Sequence, residues 1–221
     1  MPASIKLIVF DWDGTLMDSE AQIVTCLHAA LADLGEEPMA DDTLRNIIGL
    51  GLREAIDALV PGRSDDFHQA FVEAYRTHWF ASESSMLFDG AREALETIKD
   101  NGYLLGVATG KARRGLDRVL NDTGLAALFH ATRCADEASS KPHPQMLLDL
   151  MTALDVLPEE TIMVGDTEYD MEMATSAGVA KIAVRSGVHS GERLDRHAPL
   201  VCLDRIADMP GWMATAGLLS D

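Results

Sequence analysis

Basic residues are scarce in this chain. Eighteen Lys and Arg stand against 36 Asp and Glu in 221 residues, a formal net charge of -18. A protein that grips nucleic acid neutralises phosphates with clustered Lys and Arg, so this composition excludes a general nucleic-acid binder. The one basic concentration, Arg113-Arg114 flanked by Lys111 and followed by Arg118, fits the solvated face of a helix. Cysteine is rarer still. Cys26, Cys134 and Cys202 are odd in number and far apart, without the spacing of a metal site or a disulfide framework, and read as reduced and structural. Long apolar runs are missing too: none approaches the ~20 residues of a membrane helix, and the first residues lack the layout of a secretory signal. The expectation is a cytoplasmic protein, monomer or homodimer, with neither membrane nor nucleic acid as partner.

What the chain does have is apolar content. Hydrophobic residues make up 47%, ample for a packed core, and the length suits one large α/β domain or a core with a smaller insertion. Residues 5–10 form an apolar run broken only by Lys6, which reads as a buried parallel strand. Directly after it comes Asp11-Trp12-Asp13-Gly14-Thr15-Leu16. The two carboxylates therefore stand where the strand ends, the edge at which open α/β sheets bind ligands. Either acid alone would serve as a turn or helix cap. Buried side by side they repel, unless a cation or a shared proton relieves them. The pair points to a metal site with a reactive aspartate.

After this motif the pattern turns helical. Ile23, Leu27, Ala30/Leu31 and Leu34 recur at helical spacing up to Gly35. Leu52, Ala55/Ile56 and Leu59 form a second segment stopped by Pro61-Gly62. Phe67, Phe71 and Ala74/Tyr75 mark a third, with a capping signal at Ser64-Asp65-Asp66. No strand-like alternation occurs between Leu16 and Ser82. Residues 16–82 are therefore expected to be an all-helical insertion on its own small core, and 1–15 with 83–221 an α/β core. From Phe88 onward helix alternates with strand. Strands are expected over 103–108, 130–134, 161–164, 180–184 and 200–203. Helices are expected to open at Asp89-Gly90, over 112–120, over 142–154 with Pro142 in the first turn, and after Gly165-Asp166 up to Ala177. Such alternation predicts an α/β fold, a Rossmann-like parallel sheet with helices on both faces.

Three more strand ends carry residues suited to phosphate chemistry. Thr109-Gly110 offers a hydroxyl and backbone N–H donors to an anion. Lys141, in Ser140-Lys141-Pro142-His143-Pro144, can counter phosphate charge or hold a carboxylate in place. In Gly165-Asp166-Thr167-Glu168-Tyr169-Asp170, two carboxylates converge from a turn and the first helical positions. Hard oxygen ligands at a strand edge suit Mg²⁺. Each feature alone has an ordinary reading as a cap or a surface charge; a metal-phosphate site explains all of them together.

In order and context, Asp11-x-Asp13-Gly14-Thr15, Thr109, Lys141 and Gly165-Asp166-x-x-x-Asp170 resemble the haloacid dehalogenase-like superfamily over essentially the whole chain. Residues 11–19, DWDGTLMDS, together with Lys141-Pro142-x-Pro144 and Gly165-Asp166-Thr167, are most similar to its phosphoglycolate phosphatase branch, whose cap the helical block then represents. The resemblance implies a Mg²⁺-dependent phosphatase for a small phosphorylated metabolite, phosphoglycolate being the first candidate. It implies Asp11 as the nucleophile that forms an aspartyl-phosphate and Asp13 as the acid and base. Thr109, Gly110 and Lys141 would hold the phosphoryl group. The metal would be held by Asp11, the Asp13 carbonyl and Asp166, with Asp170 supporting it through water or by orienting Lys141. Asp13 argues against carbon–halogen chemistry, which needs no acid for the leaving group. A phosphomutase of the β-phosphoglucomutase type and a non-catalytic binder of phosphorylated ligands are the alternatives.

Three positions depart from the branch. Trp12 replaces the usual Phe or Leu and is expected to narrow the site. Asp89 stands where a proline is common, and Arg185-Ser186-Gly187-Val188-His189 does not follow the common sequence. Specificity is expected from residues 48–53, a glycine-bracketed turn in which Arg53 would meet a carboxylate or second phosphate by bidentate pairing.

Overall fold

The computed structural model describes residues 4–83 and 85–219. The first strand, β1 (Leu7–Phe10), is wholly buried. A two-residue strand, β2 (Met17–Asp18), leads into four helices: α1 (Glu20–Asp33), α2 (Asp41–Arg45), α3 (Leu52–Leu59) and α4 (Asp65–Ala81). The chain returns through β3 (Met86–Leu87) and then alternates: α5 (Ala91–Asp100), β4 (Leu104–Thr109), α6 (Arg113–Thr123), β5 (Ala131–Cys134), α7 (Gln145–Leu154), β6 (Thr161–Gly165), α8 (Glu168–Ala177), β7 (Ala180–Val184), α9 (Gly191–Asp195), β8 (Cys202–Leu203) and α10 (Met209–Thr215).

Six strands form one parallel sheet in the order β5-β4-β1-β6-β7-β8. The order reverses at β1, so the crevice at its C-terminal end is the topological switch point where doubly wound folds bind ligands. Successive side chains of a strand point to opposite faces, and the core divides accordingly. Ile8, Phe10, Val107, Ile162 and Val164 pack against α5, α6 and α10 on one face. Leu7, Val9, Ala108 and Met163 pack against α7 and α8 on the other.

The helical block has a separate core, in which Ile23, Leu27, Ala30 and Leu31 of α1 meet Phe71 and Trp79 of α4 and Ile56 of α3. Ser64 caps α4 by accepting the Phe67 N–H, as the sequence signal predicts. Where the chain leaves and re-enters the sheet, β2 and β3 pair antiparallel, Met17 opposite Leu87 and Asp18 opposite Met86. Of the two, β2 lies in the stretch expected to hold no strand; two residues are too few to show a period. Pro142 also departs from expectation. It follows a cis peptide bond after Lys141, and the helix starts three residues later at Gln145. The last strand is shorter than 200–203, covering Cys202–Leu203 alone. No helix among the described residues is long and apolar enough to cross a membrane.

Candidate active site

Backbone pairing sets the site. The register Phe10 opposite both Val107 and Val164 brings the residues after β1, β4 and β6 to one edge of the sheet. There Asp11, Asp166 and Asp170 place carboxylate oxygens within 4.8 Å of one another. Lys141 enters from the loop before α7, fully buried, its Nζ 2.7 Å from Asp11 Oδ1 and 2.7 Å from Asp170 Oδ1.

Each acid is held by different groups. Asp166 Oδ1 accepts the Thr15 hydroxyl at 2.9 Å and Oδ2 accepts the Val188 N–H at 3.0 Å. Asp170 Oδ2 accepts the Thr167 hydroxyl at 2.7 Å and the Thr167 N–H at 3.1 Å, closing a capping box at the start of α8. With its other oxygen on Lys141, Asp170 has both oxygens engaged and orients the lysine. Asp13 Oδ1 accepts the Ser19 hydroxyl at 2.5 Å and lies 2.9 Å from Lys111 Nζ. Asp11 differs from all of these: it is buried, and its Oδ2 has no hydrogen-bond partner among the described residues.

Electrostatics follow from this packing. Burial pushes the Asp11 carboxyl well above the usual range; Asp170 and Asp166 add to the rise and Lys141 opposes it. Asp166 is pushed up to about 7, first by burial and then by Asp170. Burial also opposes the Lys141 charge, but Asp11 and Asp170 outweigh it and hold the ammonium above its ordinary value. With all three carboxylates ionised, one ammonium would leave two negative charges uncompensated. Together with the unpartnered Asp11 Oδ2, hard oxygen donors carrying that surplus fit a small divalent cation.

The remaining expected residues occupy varied positions. Thr109 is buried at the end of β4, its Oγ1 accepting the Lys111 N–H at 3.2 Å. Gly110 allows a close approach by the helical block: a Cβ there would lie 2.4 Å from the Leu50 carbonyl oxygen. Arg53 lines the cavity beside the site, yet it is exposed and its Nη2 is taken by Asp65 at 2.6 Å. Trp12 does not narrow the site. It is buried in the sheet core near Phe129, because alternation turns it away from the edge that Asp11 and Asp13 face.

Lys111 is a correction of another kind. Its side chain is 8% exposed, not solvated, since it precedes α6 and turns inward between Asp13 and the Trp79 ring, 4.1 Å from the ring centroid. Sequence reasoning also passed over the roles of Thr15 and Ser19, and read 185–189 only as a departure. That loop wraps Asp166: Val188 donates to it, Ser186 Oγ donates to the Gly14 carbonyl at 3.1 Å, and a Cβ on Gly187 would lie 1.9 Å from Asp166 Oδ2. No periodicity marks such contacts, although Gly187 beside a strand end is a signal of close approach. Gly14 serves from the opposite side, with φ of +79° and a would-be Cβ 2.3 Å from the same oxygen.

Comparison with known proteins places this arrangement. The family model for haloacid dehalogenase-like hydrolases matches residues 8–184, which hold every acid described above. The chain belongs to the haloacid dehalogenase-like hydrolases. Among curated members it is 33% identical to the probable phosphatase IndB of Dickeya dadantii, over 93% of this chain and 92% of that one. It is 26% identical to a phosphoglycolate phosphatase of Colwellia psychrerythraea, over 92% of this chain and 95% of that one. A solved hydrolase structure from Pseudomonas syringae shares the fold at a TM-score of 0.88 and 22% identity, covering 95% of this chain and 98% of that one. In this hydrolase family member the helical block lies over the sheet edge and encloses a cavity of about 380 Å³ that opens onto Asp11 and Asp13.

Proposed function

We propose that the protein is a Mg²⁺-dependent phosphatase that hydrolyses a small phosphate monoester through an aspartyl-phosphate on Asp11, with residues 16–82 acting as a cap. The observation that carries the reading is Asp11 itself, a buried carboxylate with one oxygen on Lys141 and the other unpartnered, at the switch point of the sheet. The names of the relatives support the same class of reaction.

Asp11 attacks phosphorus as the bond from phosphorus to the leaving oxygen breaks, and Asp13 delivers a proton to that oxygen. Water then attacks the aspartyl-phosphate. Asp13 takes the proton from the water, the bond between phosphorus and Asp11 breaks, and inorganic phosphate leaves. Lys141 and Thr109 hold the transferring group, Asp170 fixes Lys141, and Ser19 with Lys111 positions Asp13. Asp11, Asp166 and the Asp13 carbonyl would hold Mg²⁺, which supplies charge neutralisation between the nucleophile and the anionic ester. The cap excludes water during transfer.

Phosphate release from phosphoglycolate, hexose phosphates, nucleotides and pyrophosphate, with and without Mg²⁺, tests the reading. Metal-dependent release lost in Asp11→Asn is the expected result. A folded, Mg²⁺-loaded wild type that releases phosphate from none of them, nor from benzyl phosphate, would overturn it, in favour of phosphoryl return to a sugar or of binding alone.

A further inference from the structure

The cavity continues past Asp11 and Asp13 into the helical block, and there its chemistry changes. Its volume of about 380 Å³ is within the ~300–1,000 Å³ of sites that bury a sizeable organic molecule. Beyond the catalytic end the wall is made by Ile23 and Leu27 of α1 and by Val72, Tyr75, Trp79 and Phe80 of α4. The Tyr75 and Trp79 rings stack on each other, 17° apart with centroids separated by 6.1 Å, and pack as one aromatic block in the wall.

A polar leaving group fits such a wall badly, because a carboxylate or a row of hydroxyls would lose water there and find few partners beyond the Tyr75 hydroxyl. Charged lining residues beyond the catalytic end, Arg53 and Arg76 among them, are exposed and carry their charge at the rim. Arg53 is already paired with Asp65. Lys111, over Trp79 at 4.1 Å and against Asp13 at 2.9 Å, marks where the polar end stops and the aromatic wall begins.

We propose that the substrate is a phosphate monoester whose leaving group carries an apolar ring, aromatic or alicyclic, seated against Tyr75 and Trp79. This inference rests on the phosphatase reading and replaces phosphoglycolate as the first candidate. The ring contributes by burial of apolar area, while the phosphoryl group alone reaches Asp11.

Two non-hydrolysable phosphonates separate this proposal from the reading beneath it. Binding of benzylphosphonate and of phosphonoacetate to the wild type with Mg²⁺ is measured by calorimetry. Benzylphosphonate is expected to bind about tenfold tighter or more, and Val72→Trp, which fills the space, is expected to bring the ratio close to one. Leu27→Phe, a smaller increase in bulk, replaces that variant if it does not fold. Equal affinities, tighter phosphonoacetate, or no binding of benzylphosphonate overturns the proposal. Phosphate release from benzyl phosphate and phosphoglycolate is followed in parallel. Ring-selective binding without release from either ester upholds the ring preference and sinks the phosphatase reading; release without ring selectivity does the reverse.

Discussion

A single methyl group tests how tightly Asp166 is held. Gly187→Ala would put a carbon 1.9 Å from Asp166 Oδ2, so either the carboxylate turns or the 186–188 loop moves, and the Val188 N–H bond to that oxygen is lost in both cases. Metal-dependent phosphate release is expected to fall by at least about tenfold, with a stability loss of about 1–3 kcal/mol; full activity with unchanged Mg²⁺ titration would refute this placement of the loop. Asp11→Asn makes the opposite case for stability. Burial is the largest cause of the raised Asp11 pKa, and the neutral amide removes one of three crowded carboxylates while Lys141 keeps Asp170. Measured by thermal unfolding in EDTA, the inactive variant is expected to be more stable than wild type by about 1 kcal/mol or more; a lower melting temperature would contradict the charge surplus described for the cluster. The sequence makes Asp11, Asp13, Lys141 and Asp166 legible because each follows an apolar run or precedes a helix. Ser19 and Thr15 act through contacts that only the closed fold creates, and neither spacing nor residue type marks them; Gly187 is marked only as a glycine near a strand end. Lys111 departs from the expected solvated face because helical spacing says nothing about a residue two positions before the helix starts.

At the scale of elements, two helices offer sharper checks. Gly115 lies in α6, where a Cβ would meet nothing nearer than Lys111 Cβ at 3.9 Å. Gly115→Ala is expected to stabilise by about 0.5–1 kcal/mol through helix propensity alone, read from denaturant midpoints; a loss would mean that the loop before α6 cannot accept the methyl. His68 joins α4 to α3. Its Nδ1–H donates to the Ser64 carbonyl at 2.8 Å and its Nε2 lies 2.7 Å from Asp57 Oδ1. The Ser64 bond and then Asp57 raise its pKa, against burial and Arg53. The folded value lies above the ordinary ~6.5 of the unfolded chain. The added stability is therefore complete below that value and is lost as pH rises through the folded pKa. The stability excess of wild type over His68→Gln is expected to be larger at pH 5.5 than at pH 8.5, by urea unfolding at both. An excess that grows with pH would reverse the sign and remove the pairing. Long periodic segments such as α1, α3 and α4 are readable from sequence because one face is apolar over several turns. The β2–β3 ladder is not, and it is the pair of connections through which the helical block joins the sheet.

Across the whole molecule, charge opposes the proposed chemistry. A net charge of -18 surrounds a site meant for an anion, and the basic groups nearest it are largely consumed. Lys141 is shared between Asp11 and Asp170, Lys111 serves Asp13, and Arg53 serves Asp65. Hydrogen bonds hold the helical block over the site: Tyr169 Oη donates to the Asn46 carbonyl at 2.7 Å, and the Gly51 N–H donates to Ser140 Oγ at 2.6 Å. Charged donors add to these, Arg193 Nη1 to Asn46 Oδ1 at 2.6 Å and Lys111 over the Trp79 ring, but no ion pair among the described residues joins the block to the core, so salt weakens closure little. Diffusional approach of a phosphate ester depends on the long-range field, which salt screens within a Debye length of ~10 Å at 0.1 M. The two dependences can be separated. At saturating Mg²⁺, raising KCl from low to physiological ionic strength is expected to increase kcat/KM for an anionic ester by roughly two- to tenfold, with kcat nearly constant. A fall in kcat/KM would mean that the local cations outweigh the global field and steer the substrate in. A change confined to kcat would place the salt effect on cap motion and not on encounter.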